Sequence, residues 1–322
     1  PLSPVAISKI AMFCDVPEKA VISTPDARSI YEVPLNLEKQ GVADFIIDRM
    51  RLRPMVSGRN MDSWEKFVDR ILNPKMEVTI ALVGKYTALA DSYLSHLESF
   101  THAGAAMECK VRIRFVDSDQ LVGHDADEVL GGVDGIIIPG GFGTRGIEGM
   151  IEAARYAREN SIPFLGVCLG FQIATIEFCR DVLGLDNATS TEFDPSTPDP
   201  VICIMDEQKD VVDMGATMRL GAQDVVIDKE SKAAELYGSV RISERHRHRY
   251  EVNPLYIDRI ESMGWRFTGR SECGTRMEIG ELEGHPYYVA SQFHPEFKSK
   301  PGSPSPLHLG LVKAAMEHRK SL

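Results

Sequence analysis

The stretch "IPFLGVCLGFQIATIEFCRDVL", residues 162–183, reads as a strand, a sharp turn and a helix in succession. "IPFLGV" (162–167) is a short apolar run, and "FQIATIEFCRDVL" (171–183) repeats apolar residues at helical spacing. Between them "GVCLG" (166–170) sets Cys168 between two glycines. Small flanking residues allow a tight turn of the G-x-nucleophile-x-G kind, with cysteine in the place of serine. Such a turn lifts its side chain above the C-terminal edge of a sheet. The helix that follows favours a negative sulfur and offers backbone N–H groups. An ordinary buried cysteine in a βα turn fits the pentapeptide equally well, so the choice rests on what else the chain supplies.

Upstream the same alternation holds. "VTIALVG" (78–84), "VRIRFVDS" (111–118) and "VDGIIIPGG" (133–141) read as strands; "DSYLSHLESFTHAGAAM" (91–107) and "IEGMIEAARYAREN" (147–160) read as helices. Strands separated by helices of this length imply right-handed crossovers. The fold class expected is α/β, a mainly parallel central sheet flanked by helices. Downstream the pattern is more mixed, with strands near 200–205, 215–220, 264–269, 276–282 and 286–293 and a closing helix near 306–319. These are extra strands on that core. A Pro/Ser/Gly loop, "KSKPGSPSP" (298–306), precedes the closing helix.

The first part of the chain reads differently. Residues 1–53 look like the end of one domain: a helix-like stretch from Lys9, a short strand "AVIS" (20–23), a turn, and the amphipathic "VADFIIDRM" (42–50). Residues 54–76 read as a linker with one helix, capped by Asp62 or Ser63 and ended by Asn73-Pro74. Its apolar stripe is Trp64, Phe67, Val68, Ile71 and Leu72. Residues 77–322 then form the α/β domain. The chain opens at Pro1 without an initiator Met, which reads as a piece of something longer.

Composition narrows the function. The 322 residues hold 36 basic and 47 acidic side chains, a formal charge of −11, which argues against nucleic acid and anionic membranes. No apolar run is long enough to span a membrane, and no signal peptide is visible. Six scattered cysteines without paired spacing favour reduced thiols and a cytoplasmic location.

A thiol nucleophile needs a base. "SQFHPEF" (291–297) supplies His294 after a strand, with Glu296 two residues on. If Pro295 keeps the segment extended, both side chains point the same way, and Glu296 orients the imidazole. An oxyanion hole is the third requirement. "IIIPGGFGTRGIEG" (136–149) runs a strand into glycines, and Gly140, Gly141 and Gly143 let N–H groups approach a substrate oxygen. The loop lacks the Lys-Ser/Thr ending of a phosphate-binding P-loop.

"PGGFG" (139–143), "GVCLGFQ" (166–172) and "FHPEF" (293–297) together resemble the class I (triad) glutamine amidotransferases. The likeness narrows with "NATSTEF" (187–193), "GATMRLG" (215–221) and "ERHRHRYEVN" (244–253). With "VPEKAVIS" (16–23) and "SIYEVP" (29–34), these look like the CTP synthase family, over essentially the whole chain. That resemblance implies a flavodoxin-like architecture, with residues 1–53 as the tail of a synthetase domain. It implies that Cys168 attacks the amide of L-glutamine, that His294 and Glu296 complete the triad, and that Gly141 and Leu169 donate to the oxyanion. Phe142, Gly170, Phe171, Gln172, Glu192 and Arg249 would form the rest of the glutamine site. It further implies that the full enzyme, a homotetramer, uses ATP and Mg²⁺ to aminate UTP to CTP, with GTP as activator. Only Lys9 and Pro25, Asp26 and Ala27 of "TPDA" (24–27) match positions near nucleotide, and no cofactor or metal site is expected here. The start, "PLSPVAIS", departs from the family pattern, and the P-loop and magnesium-holding acids are not in this chain. Glutamine hydrolysis is the most that the chain should do by itself.

"RHRHR" (245–249) in an extended segment points Arg245, Arg247 and Arg249 one way and His246 and His248 the other, which suits an interface or substrate pocket better than nucleic acid or zinc. Cys14, Cys109, Cys179, Cys203 and Cys273 read as structural or incidental. His96, His102, His124, His285, His308 and His318 read as surface or satisfied residues. Two rival functions remain: another Cys-His-Glu hydrolase, such as a γ-glutamyl hydrolase or a different amidotransferase, and a non-catalytic assembly or regulatory module.

Overall fold

The computed structural model describes residues 1–52, 60–87, 89–205 and 218–321. They form two compact units, Pro1–Pro74 and Lys75–Leu322.

The first unit is helical. Helix α1 spans Pro4–Cys14, with Ser3 accepting from the Ala6 N–H and proline at the first helical position. Helices α2 (Val33–Lys39) and α3 (Val42–Met50) follow a short turn where Ser29 and Glu32 make a reciprocal capping box. The strand expected at 20–23 does not form: Ala20 ends a 3₁₀ turn, and among the described residues no strand pairs with the segment after it. Gln40 replaces a partner strand, accepting from the Ser23 N–H at 2.9 Å and donating to its carbonyl at 3.0 Å. Helix α4 (Asp62–Leu72) has the expected boundaries, but Asp62 and Ser63 do not cap it. Asn60 does so from outside, accepting the Asp62 N–H at 2.8 Å. Phe67 and Val68 are buried, and Tyr31 packs edge-on against Phe67. Residues 54–59 of the expected linker lie outside the described residues.

The second unit is a layered α/β body. Its strands are β1 (Met76–Gly84), β2 (Cys109–Asp117), β3 (Gly135–Ile138), β4 (Phe164–Val167), β5 (Ala188–Ser190), β6 (Asp199–Cys203), β7 (Arg219–Ile227), β8 (Arg241–His248), β9 (Glu251–Val252), β10 (Trp265–Ser271), β11 (Met277–Leu282) and β12 (Tyr288–Ser291). The helices are α5 (Leu94–Met107), α6 (Ala126–Leu130), α7 (Ile147–Glu159), α8 (Leu169–Asp181), α9 (Lys232–Tyr237), α10 (Ile257–Glu261) and α11 (Pro306–Ser321). Among the described residues, nine strands form one sheet in the order β2-β1-β3-β4-β12-β11-β10-β7-β8. The first five pair in parallel, and the last four continue the sheet antiparallel. These are the extra strands on the parallel core; β5, β6 and β9 form a second, small sheet. The strand expected near 215–220 begins, among described residues, with β7 at Arg219; its earlier part lies outside them.

Burial explains the parallel core. β3, β4 and β12 are buried at every residue, as strands covered on both faces must be. On one face Ile147, Met150 and Ala154 of α7 and Ile173 and Ile176 of α8 share a core with Ile136 and Phe164. On the other, Phe100 of α5 and Leu307 and Leu311 of α11 pack with Ile80, Ile137 and Leu165. Register then sets the site. Ile138 lies opposite Gly166, and Ser291 opposite Val167. Three adjacent parallel strands therefore end at one edge, where ligand sites of open α/β sheets are built.

Candidate active site

β4 delivers Cys168. Its backbone has φ 53° and ψ −96°, a strained conformation for a side chain other than glycine. The neighbours fix why the turn reads G-x-C-x-G. A β-carbon at Gly170 would stand 2.1 Å from the Ile138 carbonyl oxygen, and one at Gly166 would stand 2.6 Å from that of Gly170. The Cys168 N–H donates to the Ser291 carbonyl at 2.7 Å, tying the elbow to β12. Cys168 is the N-cap of α8, so the Leu169 N–H has no carbonyl four residues back and remains available.

β12 delivers His294. The extended His-Pro-Glu segment expected from the sequence is not what forms. Pro295–Lys298 is a 3₁₀ turn with His294 as its N-cap, and Pro295 takes a first-turn position where its missing N–H costs nothing. The turn still returns the carboxylate to the ring: Nδ1 of His294 and Oε1 of Glu296 are 2.8 Å apart. Glu296 is buried. Burial opposes its charge, yet the neighbouring His96 and the bond and charge of His294 bring its pKa down to about 2. Burial also opposes a charge on His294; the facing Cys168 sulfur, to which it is hydrogen-bonded, and then Glu296 outweigh this and raise it to about 10. His294 is thus held as an imidazolium over the neutral range, facing the Cys168 sulfur.

β3 delivers the glycine loop. Gly140 lies against the side chains of both Cys168 and His294, so that a β-carbon there would be 3.5 Å from that of Cys168. Gly143 adopts φ 78°, and its N–H is taken by Glu192 at 3.1 Å. Sequence reasoning missed Lys85. It follows β1 at the same sheet edge, is almost fully buried, and donates from Nζ to the carbonyls of Phe142 and Gly143. Burial lowers its pKa to about 8. The OH of Tyr93 accepts the Lys85 and Tyr86 N–H groups and sets the direction of that side chain.

A cleft opens beside Cys168. Gly141, Phe142, Leu169, Gln172, Glu192 and Arg249 line it, together with Met218 of the "GATMRLG" run and His248 and Tyr250 of the "ERHRHRYEVN" run. Gln172 donates to the Tyr250 carbonyl at 3.1 Å and to Gln292 at 3.3 Å, bracing α8 against the chain after β8. Two residues expected in the glutamine site do not line the cleft. Phe171 is fully buried edge-on to Phe267, because the first turn of α8 points it into the core. Gly170 faces the Ile138 carbonyl.

The "RHRHR" alternation is visible in β8. His246 and His248 are buried, bonded to Glu278 at 2.8 Å and Glu251 at 2.9 Å, while Arg245 and Arg247 are exposed. The backbone of this strand touches the triad: the Arg245 carbonyl accepts the His294 N–H at 2.8 Å, and that of Arg247 lies 3.8 Å from the Cys168 sulfur. Lys9 is exposed on α1, and Pro25, Asp26 and Ala27 lie in coil of the first unit. Among the described residues, no three His, Cys, Asp or Glu side chains gather as a metal site.

Comparison with known proteins decides the family. Residues 88–314 match glutamine amidotransferase class-I, and residues 1–52 match CTP synthase N-terminus. The glutaminase domain of Trypanosoma brucei CTPS, solved with bound acivicin, superimposes with a TM-score of 0.71 at 43% identity, covering 74% of this chain and 94% of that one. The chain belongs to the class I glutamine amidotransferases of the CTP synthase family. CTP synthase of Methanosarcina mazei is 52% identical over 322 residues, 99% of this chain and 59% of the relative. That of Archaeoglobus fulgidus is 50% identical over 319 residues, again 99% and 59%. The chain therefore spans somewhat over half the length of these curated relatives. No described helix is long and apolar enough to cross a membrane.

Proposed function

We propose that this chain hydrolyses L-glutamine and that its ammonia serves the ATP-dependent amination of UTP to CTP. The observation that carries the first half is the Cys168–His294–Glu296 constellation beside a cleft holding both Glu192 and Arg249. An acid and an arginine suit the ammonium and carboxylate of a free amino acid.

The chemistry follows from the charges. The Cys168 thiolate attacks the side-chain amide carbon, forming a C–S bond. The N–H groups of Gly141 and Leu169 take the oxyanion. The His294 imidazolium gives its proton to the leaving nitrogen, the C–N bond breaks, and ammonia departs from a γ-glutamyl thioester. His294, now neutral, takes a proton from water, whose oxygen attacks the thioester. The intermediate collapses, the C–S bond breaks, and glutamate leaves, its new carboxyl giving up a proton to solvent while the sulfur is freed as thiolate beside the imidazolium. Glu296 holds the ring in one orientation throughout.

The second half rests on family membership. Residues 1–53 would end a synthetase domain, 54–76 would link it to the amidotransferase domain of 77–322, and GTP would stimulate hydrolysis, within a cytoplasmic homotetramer. The residues described do not fit ATP with Mg²⁺: Lys9 and Pro25–Ala27 are largely exposed, and no acidic cluster accompanies them.

The test is glutamate and ammonia release from glutamine, beside a Cys168→Ala control and a γ-glutamyl peptide. Release from glutamine that is lost in the control supports the proposal. Preference for the peptide indicates the γ-glutamyl hydrolase reading. Silence that persists after adding a full-length relative's synthetase portion with GTP, UTP, ATP and Mg²⁺ indicates a non-catalytic module.

A further inference from the structure

Behind the triad lies a line of buried polar groups that the mechanism above does not use. Glu296 Oε1 faces His294 on one side and His96 Nε2 of α5 on the other, at 3.6 Å. His96 Nδ1 lies 3.0 Å from His308 Nε2 of α11. His308 Nδ1 lies 2.8 Å from the Ser305 hydroxyl. Both imidazoles are buried, and Glu296 Oε2 is buried with no hydrogen bond. A buried carboxylate with one full partner is under-supplied, because each missing bond to a buried charge is costly.

The protonation of this line follows from its geometry. Burial lowers the pKa of His96 and takes that of His308 to about 3, so both rings are neutral. A neutral imidazole has one N–H and one acceptor nitrogen. A donor toward Glu296 at His96 Nε2 leaves Nδ1 as acceptor, which requires the proton on His308 Nε2. His308 Nδ1 must then accept from Ser305. One arrangement satisfies every contact, with each hydrogen directed at Glu296. The other ionisable groups acting on Glu296 are His294 on its own turn, and Tyr237 of α9 and Glu244 of β8. Tyr237 and Glu244 bond to one another at 3.0 Å.

We infer that His96, backed by His308 and Ser305, is a positioning residue that holds the Glu296 carboxylate in place for His294. At 3.6 Å the contact is longer than a hydrogen bond, and such contacts in ligand-free sites tighten when substrate binds. The inference rests on the glutaminase reading for its kinetic test alone.

Two measurements on the whole chain test it. The first is steady-state glutamine hydrolysis by His96→Leu, His96→Gln and His308→Phe, with thermal melts. The Leu variant should lose about ten-fold or more in kcat with KM within about two-fold, since a misaligned base affects the transition state and not binding. Gln, whose amide nitrogen falls near the position of Nε2, should recover most of the loss, and His308→Phe should lie between. Wild-type kcat in the Leu variant, or an equal loss in Gln with melts unchanged, overturns the inference. The second is ¹⁵N NMR of histidine rings in the wild-type chain. Neutral Nε2–H tautomers at His96 and His308 are expected; an Nδ1–H or charged His96 overturns the inference. Because the second readout needs no turnover, an inactive wild type counts against the glutaminase reading while the relay is still judged.

Discussion

Gly140 stands against His294 so closely that a β-carbon at the glycine would lie 2.8 Å from Cε1 of the ring. Real β-carbons do not approach that near, and the ring cannot yield freely because Glu296 holds its other side at 2.8 Å. Gly140→Ala should therefore displace the base and leave the fold intact. A misplacement of about 1 Å can cost roughly a hundred-fold in rate, so a fall in kcat of one to two orders of magnitude is expected with the melting temperature little changed. Ammonia release and a thermal melt check both parts.

Cys168 sits at φ 53°, ψ −96°, which a residue with a side chain adopts only under strain. Such strain is worth on the order of 1–3 kcal/mol and is relieved by glycine. Two inactive variants then separate function from stability. Cys168→Ala keeps the β-carbon and the strain; Cys168→Gly removes both. The glycine variant should match or exceed the alanine variant in denaturant midpoint, despite the larger entropy of its unfolded chain. A clearly lower midpoint for glycine would show that the elbow stores no strain.

What the sequence disclosed and what it concealed follow one physical division. The βα alternation from residue 77 was readable because buried parallel strands are continuously apolar and their helices are periodic. The elbow was readable because close backbone approach admits only glycine at 166 and 170. Features set by distant partners were not. "AVIS" has strand composition, but among the described residues no strand pairs with it, and the Gln40 side chain bonds Ser23 instead. The turn at Pro295 departs from the extended expectation because proline suits both an extended segment and the first position of a 3₁₀ turn. Lys85 and His96 carry no local signal, since their partners lie tens to hundreds of residues away. Phe171 was assigned to the site for its neighbours in sequence, while the helix turns it inward.

Lys85 braces the glycine loop by donating to the carbonyls of both Phe142 and Gly143. With those oxygens held back, the loop keeps Gly141 at the cleft and the Gly143 N–H on Glu192. Lys85→Met preserves much of the buried volume and removes the donor, leaving two carbonyls without it. Loss of one well-placed oxyanion donor costs roughly 3–4 kcal/mol of barrier, and a loosened loop forfeits part of this. A fall in kcat/KM of about ten-fold to a hundred-fold is expected, while alkylation of Cys168 by iodoacetamide, followed by peptide mass mapping, stays near the wild-type rate. Unaltered turnover would assign Lys85 to packing alone.

The charges of the triad set a pH window. His294 is raised from its ordinary 6.5 to about 10, so its contribution to stability is complete below 6.5 and lost as pH rises through about 10. Glu296 is lowered from 4.5 to about 2, so its contribution is present above 4.5 and lost as pH falls through about 2. Burial works against the charge on His294; the largest support is Cys168, and Glu296 comes after it. The two removals should therefore be unequal. Histidine-ring NMR against pH should find His294 titrating highest in the wild type, lower in Glu296→Gln and lowest in Cys168→Ala. In the Ala variant the alkaline loss of melting temperature should begin nearest to neutrality. If Glu296→Gln instead lowers the His294 titration further than Cys168→Ala does, the carboxylate and not the sulfur holds the proton on the ring.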